Sequence, residues 1–313
     1  MSQFKELLPK LVSCQGCRDA PTRKLLIYFK SCIASQRSHE KETGLIRGPL
    51  ILVINTGYEM ATDQEREILA TKILSCVGQQ AARLPASKVT GFLAMEGQAW
   101  NHELMVIGRA VNAWEEDGRL PTALSSPEEI TKYAKLVQES VAGSDGKCPM
   151  SWVTAGWGPK IDYNTRRSPF WRSIRRVVKG LGIPNVDGAD VDSWASHLVW
   201  SNLYKVSPHS NGNPNNALCK IQFSGCAELL QLEFDTYRPF RALFLTGANW
   251  ADPFVKNWKL EETPQFQYVQ RVGLYGGAHC VVASHPMRKP EDEWVNDVIS
   301  AFEQLTAACG VVR

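Results

Sequence analysis

Long apolar runs are missing from this sequence. The longest, such as Leu50–Ile54 and His279–Ala283, fall far short of the roughly 20 residues that a bilayer-spanning helix needs, so no membrane partner is expected. The opening segment MSQFKELLPKLVSCQ is charged and helical in pattern and holds no signal-peptide apolar stretch; a cytoplasmic location is expected. A strong net charge is missing as well: 35 Lys+Arg against 32 Asp+Glu leave +3, too little to announce a nucleic-acid binder from the total alone. There is no internal repeat and no low-complexity tract. No G-x-S-x-G elbow and no Walker A loop occurs, which argues against an α/β hydrolase or a P-loop nucleotide enzyme. A paired cysteine framework is also absent. The nine cysteines are odd in number and irregularly spaced, the usage of buried thiols in a reducing compartment. Cys14-x-x-Cys17 is the one metal-like pair, and it lacks a second pair at finger spacing.

What is present is enough for a full-sized core: 313 residues, 44% hydrophobic and 21% charged. The expected organisation is an N-terminal helical elaboration over 1–100, packed on an α/β domain over 101–313. Within the former, 1–45 reads as polar helix with an exposed link at Ser35–Glu42, followed by the apolar run Leu50–Ile54. Asp63–Leu84 reads as a long amphipathic helix, with Ile68, Leu69, Ile73, Leu74 and Val77 on one stripe and Pro85 as its stop. From about 103 the pattern becomes strand, loop, helix. Strands are expected at Leu104–Ile107, Ser196–Tyr204, Ala242–Thr246 and Cys280–Ala283. Helices are expected after Ser126-Pro127 and Ser168-Pro169, over Cys226–Tyr237 and over Glu291–Leu305. That alternation predicts a three-layer α/β/α fold around a central, mostly parallel, four-stranded sheet, with ligands held beyond the carboxyl ends of the strands.

Three polar motifs follow or end three of the apolar strands: Gly108-Arg109-Ala110-Val111-Asn112, Asn202-Leu203-Tyr204-Lys205 and His285-Pro286-Met287-Arg288. A parallel sheet would present all three along one edge, where they form a candidate pocket. A basic cluster, Arg166-Arg167, Arg172, Arg175-Arg176 and Lys179, is either a phosphate-holding patch or a solvated helix face.

In order and rough separation these motifs resemble those of the uracil-DNA glycosylase superfamily, over about residues 103–307. That superfamily has a glycine-led motif after its first sheet strand, an asparagine on a middle strand and a His-Pro motif after the last. Arg167-Ser168-Pro169-Phe170-Trp171-Arg172, Asn202-x-x-Lys205 with Pro208, and Cys226-Ala-Glu-Leu-Leu are similar to its iron–sulfur branch. The resemblance implies a DNA base glycosylase: an enzyme that flips a nucleotide out of the stack and hydrolyses its N-glycosidic bond. It implies DNA as partner, and the protein is expected to be a monomer. His285 would stabilise the departing base anion, the kind of role that dominates catalysis in a dry site. Asn202 would read one base edge, since its amide both donates and accepts. Gly108, Arg109 and Ala110 would line the base pocket and Phe170 would stack on the base, with Trp114 and Trp171 as alternatives. Arg172, Lys205, Arg288 and Lys289 would contact DNA phosphates.

The departures from the family pattern shape the rest. Where the best-known branch has a catalytic Asp, this chain has Ala110, so water activation must come from elsewhere: Asn112 by preference, otherwise Glu115, Glu116, Asp117 or Asp162. Where strict uracil enzymes have a Tyr that blocks the pyrimidine C5 side, this chain has Asn112, which points to a 5-substituted base. Removal of hypermodified cytosines from phage DNA, as a defence, is the favoured role. The alternatives are repair of uracil or damaged bases, and a catalytically inactive nucleic-acid-binding relative. No cofactor is expected. A 4Fe–4S cluster would need four thiolates; Cys14, Cys17 and Cys226 supply three, but the position after Lys205 is Val206, leaving only Cys219 as a substitute.

Overall fold

The computed structural model describes residues 57–112, 114, 118–142, 148–158, 163–183, 186–210 and 212–308. The chain divides into two units, Met1–Asn55 and Thr56–Arg313, and the described residues all belong to the second. Cys14, Cys17, the 1–45 helix with its Ser35–Glu42 link, the Leu50–Ile54 run, Glu115, Glu116, Asp117 and Asp162 lie outside them.

The described chain opens with helix α1 (Gly57–Ile68), a π-helical turn (Leu69–Leu74) and α2 (Ser75–Gln79). They follow one another on the apolar stripe read from the sequence, and Leu69, Ile73, Leu74 and Val77 are fully buried. Short strands β1 (Val89–Gly91) and β2 (Met95–Glu96) precede β3 (Leu104–Ala110). Helices α3 (Pro127–Ala142), α4 (Ser151–Ala155) and α5 (Pro169–Gly180) come next. They are followed by β4 (Leu198–Tyr204), β5 (Val206–Pro208) and α6 (Asn216–Tyr237). Then come β6 (Arg241–Phe244), α7 (Ala248–Val255), β7 (Glu261–Glu262), β8 (Val269–Tyr275), β9 (Ala278–Ala283) and α8 (Glu291–Ala308).

The class is α/β. The main sheet has seven strands in the order β2-β4-β3-β6-β9-β8-β7. Its four inner neighbours β4, β3, β6 and β9 are parallel, and β2, β8 and β7 join antiparallel at the edges. The expected sheet of four strands is therefore too small. Two of the added strands are two residues long, and β8 is a half-buried strand of mixed apolar and polar residues next to the edge; none carries the unbroken apolar run of a buried parallel strand. Strands β8 and β9 are joined by Gly276-Gly277, both at positive φ (56° and 86°), the backbone that a two-residue hairpin turn matched to strand twist demands. Residues 57–100, read from the sequence as an elaboration, lie within the same compact unit as the sheet, and β2 pairs with β4 through Met95 and Trp200.

Side chains alternate along β4, and that alternation shows helices on both faces. Ser201 and Lys205 bond to Glu233 of α6, while Trp200 packs on Trp171 of α5 at 5.3 Å between ring centres. No helix among the described residues is long and apolar enough to cross a membrane.

Candidate active site

The parallel register aligns the strand ends. Gly108 of β3 lies beside Asn202 of β4, Gly247 donates its N–H to Ala283 at the end of β9, and Ser284 and His285 follow directly. A cavity of about 1250 Å³ opens there. Of the residues singled out from the sequence, Gly108, Arg109, Ala110, Asn112, Phe170, Asn202, His285 and Lys289 line it. Trp114 and Trp171 line it too.

Gly108 is a requirement of close approach. A Cβ there would sit 2.3 Å from the Asn202 Oδ1 and 3.6 Å from the Phe170 ring. Asn202 is 2% exposed, and its Nδ2 has no hydrogen-bond partner. An unsatisfied buried donor costs about 1–3 kcal/mol. Phe170 stands in the first turn of α5, a helix begun by Pro169 and capped by the Ser168 side chain, which accepts the Trp171 N–H. Its ring lies near-parallel to that of His285, 26° apart with centres at 6.4 Å.

His285 accepts the backbone N–H of Met287 at Nδ1, 3.2 Å away. In the neutral ring the proton is then on Nε2, whose only other role is to donate. Burial, and next the charge of Arg109, push the His285 pKa down to about 4, so the neutral donor form holds at physiological pH. Arg109 itself donates Nε to the Thr246 carbonyl (2.8 Å) and lies over the Trp250 ring. Burial lowers its pKa, and no carboxylate pairs with it among the described residues. No Asp or Glu lines the cavity among those residues either, and Arg109 and Lys289 are the Lys and Arg side chains among them on its wall.

Asn112 is exposed at the cavity mouth, and its Oδ1, the atom that would position a water by accepting its hydrogen bond, already accepts the Gly212 N–H at 2.7 Å. Its evident work is to hold the loop that carries Ser210, Gly212 and Asn213 against the cavity. On the rim, Pro286 accepts the Lys289 N–H, closing a turn. Its second central residue, Arg288, has φ 60°, the value that a type II turn requires there and that usually selects glycine. Met287 at the tip is 55% exposed, as is Tyr163 nearby at 54%; both line the cavity.

Two phosphate-contact readings are corrected by the structure. Lys205 is fully buried, its Nζ bonded to Glu233 and to Ser201 Oγ. Arg172 is committed to Glu291 and to the carbonyls of Arg166 and Arg167. The neighbouring basic residues are answered likewise, Arg175 and Lys179 by Asp187 and Arg176 by Asp292. The cluster is mostly a pinned helix face, with Arg166 and Arg167 left exposed. Arg288 does not line the cavity but is exposed on its rim turn. Cys226 is buried with its thiol pushed up to about 12 by desolvation, and it donates to Gln222. No group of three or more metal-ligating side chains is gathered among the described residues.

The sequence reading missed Trp152, Trp200 and Ser284, all on the cavity wall. Trp114, Trp152 and Trp171 each lie 5.3–5.5 Å from Trp200. The strand period held the signal: Trp200 is two residues before Asn202, hence on the same face.

No protein-family model and no curated protein matches the chain.

Proposed function

We propose that this chain is a DNA base glycosylase built like the uracil-DNA glycosylases, acting on a pyrimidine enlarged at C5. One observation carries the reading: His285, whose Nδ1 accepts the Met287 N–H, lines one cavity together with Asn202 and the Phe170 ring. These are the parts needed to stack an extruded base, read its edge and accept it as a leaving group. The parallel block β4-β3-β6-β9, with the motifs at its carboxyl ends, supports the same reading.

In the proposed reaction the C1′–N1 bond breaks and its electron pair leaves with the base. Negative charge gathers on the pyrimidine O2, where the His285 Nε2–H donates, and Arg109 adds a positive field. Water adds its oxygen to C1′ and loses a proton to solvent, while the base anion takes a proton up. Such a departure-led reaction asks little of a general base, in keeping with the occupied Asn112 Oδ1. DNA would meet the rim through Arg288 and Lys289, with Met287 placed to wedge into the stack.

The enlarged substrate is supported by the size of the cavity and by its tryptophan wall, which exceed what a bare pyrimidine fills. Removal of hypermodified cytosines from phage DNA is the role that fits. The test is to offer matched duplexes carrying uracil, thymine, 5-hydroxymethylcytosine and glucosylated cytosine, and to score abasic sites by alkaline cleavage. Cleavage of the enlarged bases over uracil is expected, and Asn112→Tyr should reduce it most for the largest. Cleavage of uracil alone returns the protein to uracil repair, and no cleavage of any duplex makes it a binding relative.

A further inference from the structure

The two exposed large side chains at the cavity mouth, Tyr163 and Met287, differ in one respect: Met287 has a part in the proposed reaction and Tyr163 has none. The chain that follows Tyr163 is tied down from beneath. Thr165 is fully buried; its N–H donates to the Gly156 carbonyl and its hydroxyl to the Val153 carbonyl. Asn164 Oδ1 accepts the backbone N–H of Arg166 at 3.0 Å and so caps a single helical turn, Thr165–Arg167. Arg172, itself bonded to Glu291, donates to the carbonyls of Arg166 and Arg167. The backbone is thus fixed, while the Arg166 and Arg167 side chains are exposed and carry no ion pair among the described residues. Tyr163 neighbours Trp152, with ring centres 6.2 Å apart, and more than half of it stays open to solvent.

Buried Thr165 and the backbone bonds secure this turn without the ring or the two cations. An accessible aromatic ring with guanidinium groups alongside is the combination that holds a nucleic-acid strand, since every base offers a face to stack on and every linkage a phosphate. Paired bases inside a duplex are already stacked on both faces; an unpaired base is free to meet a ring on the protein surface. We infer that 163–167 is a ledge for one unpaired nucleotide flanking the flipped one, with Tyr163 stacked on its base and Arg166 and Arg167 on its phosphates. The partner is thereby narrowed from DNA in general to a single strand or a locally opened duplex. The inference rests on the reading of the cavity as a DNA site.

The experiment measures affinity for short single strands carrying one 5-hydroxymethylcytosine, with a 2′-fluorine on that nucleotide to block cleavage. One flanking base at a time is removed, leaving an abasic spacer and an intact backbone. For the wild type, removal at one flanking position should weaken binding about tenfold, the loss of one stacked base. Tyr163→Ala should bind the strands with and without that base equally, and Tyr163→Phe should keep the preference. In Arg166→Gln/Arg167→Gln the slope of log affinity against log salt should shrink by about 0.7 for each arginine, as for single-strand phosphates. All three side chains are exposed or on the rim, and unfolding curves confirm that the variants fold. A wild type indifferent to every flanking base, a preference that survives in Tyr163→Ala, or an unchanged salt slope each overturns the inference. Its failure is separate from that of the glycosylase reading. A protein with the flanking preference that cleaves no substrate keeps the ledge and loses the reaction, and one that cleaves without the preference does the reverse.

Discussion

Along β4 and on to Lys205, alternate residues have opposite surroundings. On one face Ser201 and Lys205 close a ring of hydrogen bonds with Glu233 of α6, all three fully buried. On the other face Trp200 and Asn202 are nearly as buried, yet each keeps a donor without a partner. The same strand thus carries a polar network satisfied by the protein and a pair of donors that the protein leaves open. The first kind holds the fold together, and burial alone does not tell the two apart. Partner accounting does.

The comparison breaks most visibly at Lys205. Lys205→Met leaves Glu233 as a buried, unpaired carboxylate close to Glu65, and loss of about 3–5 kcal/mol is expected in denaturant unfolding. Replacing both partners by apolar residues should recover most of it. Asn202→Ala, one position along the opposite face, should stay within about 1 kcal/mol of wild type in stability while losing base discrimination. Equal destabilisation by the two single variants would erase the distinction.

Next in size, His285→Ala should lower base release by roughly 10²–10³-fold, the cost of one donor to a developing anion, with unfolding unchanged. The pH profile sharpens this. A His285 pKa pushed down to about 4 means that the active neutral form persists until pH falls through about 4, so the acid limb should lie there rather than near 6.5. Arg109 is the second cause of that shift. Arg109→Gln should move the limb upward, and single-turnover rates between pH 3.5 and 7 would show it. An unmoved limb removes Arg109 from the electrostatics of the site.

These expectations indicate what the sequence could convey. The ends of β3, β4 and β9 were legible because each is a short apolar run broken by a polar motif, and a parallel sheet brings such breaks to one edge. The Asn202-x-x-Lys205 spacing misled for a physical reason. Lys205 is neutralised by Glu233, 28 residues away, and a partner at that distance leaves no local trace. Arg172 misled likewise, since Glu291 lies 119 residues on. The β8–β9 hairpin was readable in principle from Tyr275-Gly276-Gly277-Ala278, but its first strand, of mixed composition, lacked the apolar run that marked the inner ones.

The satisfied face has a pH signature of its own. Glu65, 1% exposed, receives the Tyr237 hydroxyl on Oε2 and has no partner at Oε1. Burial, and next the charge of Glu233, raise its pKa to about 8. Folded Glu65 therefore holds a proton that the unfolded chain releases near 4.5. Stability from this group is fully present below that value and is lost as pH rises through about 8. Thermal midpoints of the wild type should fall across pH 5–9 relative to those of Glu65→Gln, and parallel curves would place the proton elsewhere.

The smallest effect expected belongs to the rim, where neither kind of burial applies. Arg288 is exposed and sits at φ 60°, a left-handed conformation costing an L-residue roughly 1–2 kcal/mol. A residue selected for folding alone would be glycine there, as in other type II turns. Arg288→Gly relieves the strain but loosens the unfolded chain, and the two terms oppose each other. A net gain of up to about 1 kcal/mol in stability is expected. If the cation is kept for a DNA phosphate, the same variant should bind duplex less tightly, and the slope of log affinity against log salt should shrink by about 0.9. A more stable protein with a shallower salt slope would show the turn trading stability for contact. A gain in stability with no change in slope would leave Arg288 without a part in binding, and would shift the proposed rim contact to Lys289 and the exposed Arg166-Arg167 pair.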